Sequence, residues 1–190
     1  MRHTFALFAL LFSISAPVHA DAVADALRAG GVAILIRHAT APGTFDPEGF
    51  RIGDCATQRN LSAEGREEAR RIGANFRSLG LVSGEVLTSQ WCRCRDTAQL
   101  AFGGARDWAA LNSFIGAREK EAAQVAEVMA RIAQIRPGDN PLVLVTHQVM
   151  VTAITGIYPQ SGEAVVVAPA RKDGRDTVTV IGRVAAPAAR

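Results

Sequence analysis

The stretch AILIRHATAPG, residues 33–43, joins an apolar run to two polar side chains at the point where the run ends. Four apolar residues lead directly into Arg37 and His38, and the chain then enters a loop containing proline and glycine. A second stretch, LVLVTHQVM at residues 142–150, repeats this pattern and ends its apolar run at His147. Short, continuous apolar runs are typical of strands buried on both faces of a sheet.

Strands and helices alternate along the rest of the chain. The sequence predicts strands at residues 32–36, 85–88, 142–145, 165–167 and 177–181, and helices at 62–79, 91–101, 118–135 and 149–155. This alternation predicts an α/β fold, a three-layer α/β/α sandwich with a mostly parallel central sheet. In such sheets the ligand crevice lies beyond the carboxyl ends of the strands, where we expect both His38 and His147.

The first twenty residues are typical of an export signal. Arg2 gives a positive start, an apolar run follows at residues 5–12, and small residues precede Ala20. The run is shorter than the roughly 20 residues that a membrane-spanning helix needs, so no stable membrane anchor is expected after cleavage. We therefore predict a signal peptide at residues 1–20, a single domain at 21–190, and a periplasmic or secreted protein.

The charge balance excludes some partners. Removing residues 1–20 takes away one basic residue and leaves 20 basic residues against 18 acidic ones. No dense run of lysine or arginine is present, so the sequence predicts no nucleic-acid partner.

Three cysteines, Cys55, Cys92 and Cys94, would enter an oxidising compartment after export. Cys92 and Cys94 are too close to favour bonding each other on a helix. The sequence therefore predicts a disulfide from Cys55 to one of these two, and does not decide which.

Two arginines point to an anion site beside the two histidines of the exported chain. Arg37, at the end of a buried strand, needs an anionic partner, and its planar guanidinium suits phosphate or carboxylate. Arg93 lies four residues after Ser89, in the first turn of a predicted helix, where the helix start also favours anions.

These residues resemble a known family. Arg37-His38-Ala39 resembles the Arg-His-Gly signature of the histidine phosphatase superfamily, and three further segments resemble its motifs in the same order: residues 61–65, residues 89–98 and residues 145–147. The resemblance implies a phosphoglycerate-mutase-like fold and a metal-independent histidine acid-type phosphatase. It also implies that His38 is the nucleophile, while Arg37, Arg93 and His147 bind the phosphate.

The sequence departs from the family at the expected proton donor. Residues 111–114 contain no carboxylate where many members have a glutamate. Glu119 is the first candidate, because together with Ala122, Ala126 and Met129 it extends the predicted buried stripe of its helix; Glu121 and Asp54 follow. A water molecule or His147 could also supply the proton. In the long polar loop at residues 45–60, Arg59 is the expected extra substrate contact.

The expected function is that of an exported phosphatase acting on a small phosphomonoester, with no cofactor and no metal. By analogy with exported relatives, an envelope sugar phosphate is the expected substrate. A catalytically weak phosphate-binding or envelope interaction protein is the alternative, because the acid is missing. A zinc protein using His38 and His147 is disfavoured, since the cysteines lack ligand spacing and the arginines would repel the ion.

Overall fold

The computed structural model describes residues 19–188. Its elements are α1 (His19–Ala29), β1 (Ala33–Arg37), α2 (Ala63–Ser78), β2 (Val86–Thr88), α3 (Cys92–Phe102), β3 (Arg106–Asp107), α4 (Glu121–Ile132), β4 (Leu142–Thr146), α5 (Gln148–Thr155), β5 (Ala164–Lys172) and β6 (Arg175–Val184). Short 3₁₀ turns lie at Cys55–Thr57, Ala109–Leu111 and Arg118–Lys120. The predicted signal peptide lies outside the described residues apart from its last two positions, which begin α1.

The six strands form one mixed sheet in the order β3-β2-β4-β1-β5-β6. The first four strands are parallel, β5 runs antiparallel to its neighbour β1, and β6 runs antiparallel to β5. The register pairs Arg37 on β1 with Thr146 on β4. His38 and His147, which follow these two residues, therefore lie side by side at the carboxyl edge of the sheet.

Helices cover both faces of this sheet. On one face, α1, α2 and α3 pack against the side chains of Ile34, Ile36, Val143 and Val145. On the other, α4 and α5 pack against Leu35, Leu144 and their neighbours. The predicted three-layer α/β/α architecture with a mostly parallel sheet is confirmed.

Helix α2 begins and ends as the sequence predicts. The Ser62 side chain accepts a hydrogen bond from the Gly65 backbone N–H and so caps the helix. The helix stops before Gly80, which adopts a positive φ of 89°. Gly65 also lets α2 approach the loop after His38, because a Cβ at this position would lie 1.9 Å from the Thr40 carbonyl oxygen.

Helix α4 differs from its prediction. It spans Glu121–Ile132 instead of 118–135, and residues 118–120 form a 3₁₀ turn. The expectation that Ala122 and Ala126 lie on its buried stripe is wrong, since both are exposed and the fully buried positions are Val128 and Ile132. The larger side chains bury more apolar surface than alanine does and thereby decide which face turns inward.

Candidate active site

A cavity of about 500 Å³ lies at the carboxyl edge of the sheet, above the ends of β1 and β4. Five residues predicted from the sequence line it together: Arg37, His38, Arg59, Arg93 and His147. The loop between β1 and α2, the start of α3 and the start of α5 each supply part of the wall. The structure thus brings the two histidines and three arginines of the sequence analysis into one pocket.

His38 is almost fully buried, with 3% of its surface exposed. Its Nδ1 lies 2.8 Å from the Ala39 carbonyl oxygen, an acceptor, so this hydrogen bond assigns the ring proton to Nδ1. Nε2 therefore keeps its lone pair, and the Nε–H of Arg93 donates to it over 3.2 Å. The ring is held in the tautomer that a nucleophile at Nε2 requires.

The surroundings also keep His38 uncharged. Burial is the main cause that lowers its pKa, to about 3, and the positive charge of Arg93 adds to the shift. Only a neutral imidazole has a lone pair to offer, so the environment favours the nucleophilic form across the physiological pH range.

The loop after His38 is fixed by α2 and α3. Thr97 Oγ1 accepts a hydrogen bond from the Ala39 backbone N–H at 3.0 Å and donates to the Arg93 carbonyl oxygen at 2.7 Å. Glu68, on α2, accepts from the Thr40 backbone N–H at 2.7 Å. One hydroxyl therefore ties the His38 loop to the turn of α3 that carries Arg93.

Arg93 is oriented by Asp46, a residue that the sequence analysis did not single out. The carboxylate accepts hydrogen bonds from Arg93 Nη1 at 2.8 Å and Nη2 at 3.1 Å, and also from the indole N–H of Trp91 and the backbone N–H of Arg59. Burial acts to raise the pKa of Asp46, but the hydrogen bonds from Arg93 and Arg59 lower it below its usual value. No spacing along the chain marks this loop carboxylate, because its partner lies 47 residues away.

Arg37 and Arg59 line the pocket, and each has a guanidinium donor that is not used by the described part of the protein. Arg37 Nη1 donates to the Pro159 carbonyl oxygen and Arg59 Nη1 to the Ala41 carbonyl oxygen. The Nε atoms of both are buried and have no hydrogen-bond partner within residues 19–188. Buried, unpaired guanidinium donors are suited to an anion.

His147 stands beside His38 at a ring-centroid distance of 5.5 Å and is 4% exposed. Its Nε2 lies 2.8 Å from the hydroxyl of Ser89, which also contacts Asn112 Oδ1 at 3.2 Å. Burial is the main cause that holds the pKa of His147 well below its ordinary value, and the positive charge of Arg93 acts in the same direction. Both histidines are therefore neutral near pH 7.

A disulfide joins the loop to α3, as predicted, and the partner of Cys55 is Cys92. Gln58 strengthens this junction, because its side-chain oxygen accepts from the Cys92 backbone N–H at 3.0 Å. Cys94 is free and buried, and its Sγ lies 3.5 Å from His147 Nε2.

The carboxylates expected to donate a proton lie away from this pocket. Glu119 is exposed and lines a neighbouring cleft, Asp54 pairs with Arg51, and Glu121 pairs with Arg118. Among the described residues that line the pocket itself, Asp46 is the one carboxylate.

No group of three or more His, Cys, Asp or Glu side chains within residues 19–188 is arranged to hold a metal ion. In the same part of the chain, no helix is long and apolar enough to cross a membrane.

No protein-family model and no curated protein sequence matches the chain. Solved structures do match. The protein histidine phosphatase SixA, complexed with tungstate, has a TM-score of 0.54 and 15% identity, over 81% of this chain and 96% of that one. A mycobacterial glucosyl-3-phosphoglycerate phosphatase has a TM-score of 0.55 and 15% sequence identity, over 80% of this chain and 98% of that one. A protein of Thermus thermophilus has a TM-score of 0.52 and 22% sequence identity, over 81% of this chain and 99% of that one.

These structures are similar to the described chain over almost their whole length, at identities that establish the fold alone. The similarity confirms the fold predicted from the Arg37-His38 motif and its three companion segments. The chain has the phosphoglycerate-mutase-like fold of the histidine phosphatase superfamily.

Proposed function

We propose that this protein is a phosphatase that hydrolyses a phosphomonoester through a phosphohistidine intermediate on His38. One observation carries the proposal: the unprotonated Nε2 of His38 lies 3.2 Å from Arg93 Nε inside a buried, arginine-lined pocket. The nucleophile is thus in contact with a cation that can bind the phosphoryl group under attack.

The charge of the pocket suits a phosphate dianion. Arg37, Arg59 and Arg93 carry three positive charges, Asp46 carries one negative charge, and both histidines are neutral. The net charge of about +2 balances the negative charge that a phosphomonoester dianion carries near neutral pH. As phosphoryl transfer proceeds, charge spreads over the three non-bridging oxygens, which the guanidinium groups are placed to stabilise.

In the first step, the Nε2 lone pair of His38 forms a bond to phosphorus while the bond from phosphorus to the ester oxygen breaks. The ring becomes a cation whose Nδ1–H still donates to the Ala39 carbonyl oxygen. In the second step, water attacks phosphorus, inorganic phosphate leaves, and the electron pair returns to Nε2. In this proposal the assigned residues carry out both steps without a metal ion.

The leaving oxygen needs a proton, and we assign Asp46 as its donor. Its carboxylate is in the pocket, whereas Glu119 is outside it. A bound phosphate dianion would compete for the hydrogen bonds of Arg93 and add negative charge, and both effects raise the pKa of Asp46. After donating its proton to the alkoxide, Asp46 would accept one from the water of the second step.

Two of the similar structures support phosphatase chemistry, and one of them holds an oxyanion. SixA is a protein histidine phosphatase solved with tungstate, and another similar chain is a glucosyl-3-phosphoglycerate phosphatase. The fold therefore accommodates phosphatase chemistry, while each chain's own pocket decides its substrate.

The test is an assay of the purified protein with a panel of phosphomonoesters, with and without a chelator. Turnover that is unaffected by the chelator and lost in His38→Ala would support the proposal. Activity that disappears on chelation would contradict the metal-independent mechanism.

A phosphate-binding protein without turnover is the second candidate. It is favoured by the tight pairing of Asp46 with Arg93, which holds the nearest carboxylate in its ionised form. Binding of vanadate or phosphate with no hydrolysis of any ester in the panel would select this candidate.

Export to the periplasm or the medium is also proposed. The apolar N-terminal run and the disulfide between Cys55 and Cys92 are consistent with an oxidising compartment. Fractionation of cells producing the full chain, followed by N-terminal sequencing, should find the protein beginning at Asp21 outside the cytoplasm.

A further inference from the structure

We propose that the substrate's leaving group is apolar, an alkyl or aryl group that lies in a cleft continuous with the phosphate pocket. This inference rests on the proposed phosphatase function and concerns what the ester carries beyond its phosphate. It differs from the envelope sugar phosphate expected by analogy, which stays a prediction.

The cleft has a volume of about 660 Å³ and adjoins the phosphate pocket. The two cavities share a wall formed by Phe50, Trp91 and Ile115, together with Ser113 and Gly116. A volume of this size is typical of small-molecule sites. An ester whose phosphate lies at His38 can therefore extend past this wall into the cleft.

Exposed apolar side chains are concentrated around these two cavities. Seven large hydrophobic residues within the described chain are exposed, and five of them line the cavities: Phe45, Phe50, Ile52, Ile115 and Tyr158. Single exposed hydrophobic residues are common on protein surfaces, but a cluster around a concave site indicates a ligand. Burying them would also contribute binding free energy that a bare phosphate cannot provide.

The aromatic part of the wall is held in place. The Trp91 indole N–H donates to Asp46 Oδ2 at 3.1 Å, and the Phe50 ring packs on Trp91 at a centroid distance of 5.6 Å. Asp46 therefore fixes both Arg93 and Trp91, so the phosphate site and the apolar wall are positioned by the same carboxylate. A preformed wall lowers the entropic cost of binding.

Two amide side chains of the cleft, Gln124 and Asn112, are occupied by the protein itself, whereas Glu119 and Lys120 are exposed charged side chains on the same cleft. Gln124 donates its amide N–H groups to the backbone carbonyls of Ala109, Ala110 and Asn112. The Asn112 side chain is bonded to Ser89 and Gln90, which leaves Gln124 Oε1 as the amide atom without a partner in the described chain. A sugar needs a partner for each of several hydroxyls, whereas an alkyl or aryl group needs none.

The experiment compares ethyl, butyl, hexyl and octyl phosphate below their micellar concentrations. These esters share the same leaving-group chemistry, so only contacts of the chain differ between them. We expect kcat/KM to rise by about fourfold for each methylene group that becomes buried. A value that is independent of chain length, in an enzyme that does hydrolyse these esters, would overturn the inference. Failure to hydrolyse any phosphomonoester would instead overturn the proposed function.

Two variants locate the site. Ile115→Ser and Ile52→Ser should each reduce the ratio of octyl to ethyl phosphate activity by about fivefold to tenfold. The control is Val82→Ser, since Val82 is 68% exposed but lies on neither cavity, and its ratio should match the wild type. Equal ratios in all four proteins would contradict the assignment. So would a dimer in sedimentation that Ile115→Ser dissociates without changing the ratio, because the surface would then be an interface between copies.

Discussion

Arg93 donates its Nε–H to the nucleophilic nitrogen of His38 while Asp46 holds both of its terminal Nη groups. One guanidinium thus links the attacking atom to the loop that closes the pocket. Because its guanidinium makes four hydrogen bonds to three residues, His38, Asp46 and the Arg59 backbone carbonyl, Arg93 loses little further freedom when an anion binds. Activity should therefore be most sensitive to substitutions of Arg93, His38 and Asp46.

Replacing His38 by alanine should abolish turnover while the fold is retained. The nucleophile is removed, but the apolar residues of β1 beneath it are unchanged, so we expect activity to fall by about 1,000-fold or more. Steady-state kinetics and circular dichroism check the two halves of this prediction. Normal activity in a folded His38→Ala protein would rule out the phosphohistidine mechanism.

Arg93→Ala should weaken vanadate inhibition and slow hydrolysis together, because Arg93 is placed to contact both the bound anion and the transition state. We expect a loss of about 100-fold in kcat/KM. Arg95→Ala is the matched control on the same helix, since Arg95 pairs with Asp107 at the surface. An unchanged inhibition constant for vanadate in Arg93→Ala would place Arg93 outside the binding pocket.

The parts of the fold that follow from the sequence are those where local chemistry and burial agree. Continuous apolar runs such as residues 142–145 can only be buried on two faces, so they identify the central strands. Ser62 and Gly80 mark the ends of α2 through hydrogen bonding and backbone conformation that are local to the chain. The two apolar strands end at Arg37 and Thr146, so pairing them in parallel brings the two histidines that follow together.

Other features depend on contacts between residues distant in sequence. Helix α1 was not predicted, although Val23 and Leu27 join the core, because it overlaps the end of the apparent export signal. The short edge strand β3 has two exposed residues and no apolar pattern. Asp46 had no distinguishing mark in a polar loop, and its importance comes from the tertiary contact with Arg93 alone.

The buried neutral histidines predict a loss of stability at mildly acidic pH. The pKa of His38 is about 3 in the folded protein and about 6.5 when unfolded, so the unfolded state binds a proton first as the pH falls. Stability is therefore full above pH 6.5 and decreases towards pH 3. Between pH 7 and pH 5 we expect His38 to contribute a loss of about 2 kcal/mol in the free energy of unfolding, and His147 to act in the same direction.

Urea unfolding at the two pH values measures this loss. The carboxyl groups with lowered pKa values, such as Asp46 and Glu163, lose their contribution only below about pH 4.5 and do not confuse the comparison. His38→Gln should show a smaller difference between pH 7 and pH 5 than the wild type. An identical difference in both proteins would show that His38 is not buried in its neutral form.

Reduction of the Cys55–Cys92 disulfide should lower both stability and activity. The bridge spans 37 positions, and the loop-closure estimate for that length is about 3 to 4 kcal/mol. Activity should fall too, because Cys55 belongs to the loop between β1 and α2, which also carries Asp46 and Arg59. Urea unfolding and ester hydrolysis, each with and without a reductant, test both effects.

Cys55→Ser is the control for this experiment, since a reductant should not change its stability or activity further. Mass spectrometry of the non-reduced wild-type protein should find Cys55 bonded to Cys92 and one free thiol at Cys94. Three free thiols in the exported protein would contradict the disulfide.

The proton donor can be identified by varying the leaving group. An aryl oxide departs without a proton, whereas an alkoxide needs one, so loss of the acid should affect alkyl phosphates far more. We expect Asp46→Asn to slow alkyl phosphates by about 100-fold to 1,000-fold more than aryl phosphates. If Asp46 served only to position Arg93, both classes would slow by the same factor, because the arginine acts on the phosphoryl group that they share.

Glu119→Gln tests the donor expected from the sequence in the same assay. Glu119 is exposed on the neighbouring cleft, so its amide variant should hydrolyse alkyl and aryl phosphates at nearly wild-type rates. A selective loss on alkyl phosphates in Glu119→Gln, together with none in Asp46→Asn, would return the role to Glu119 and require it to reach the ester from the cleft. Equal ratios in both variants would leave water or His147 as the donor, because neither carboxylate would then be coupled to the leaving oxygen.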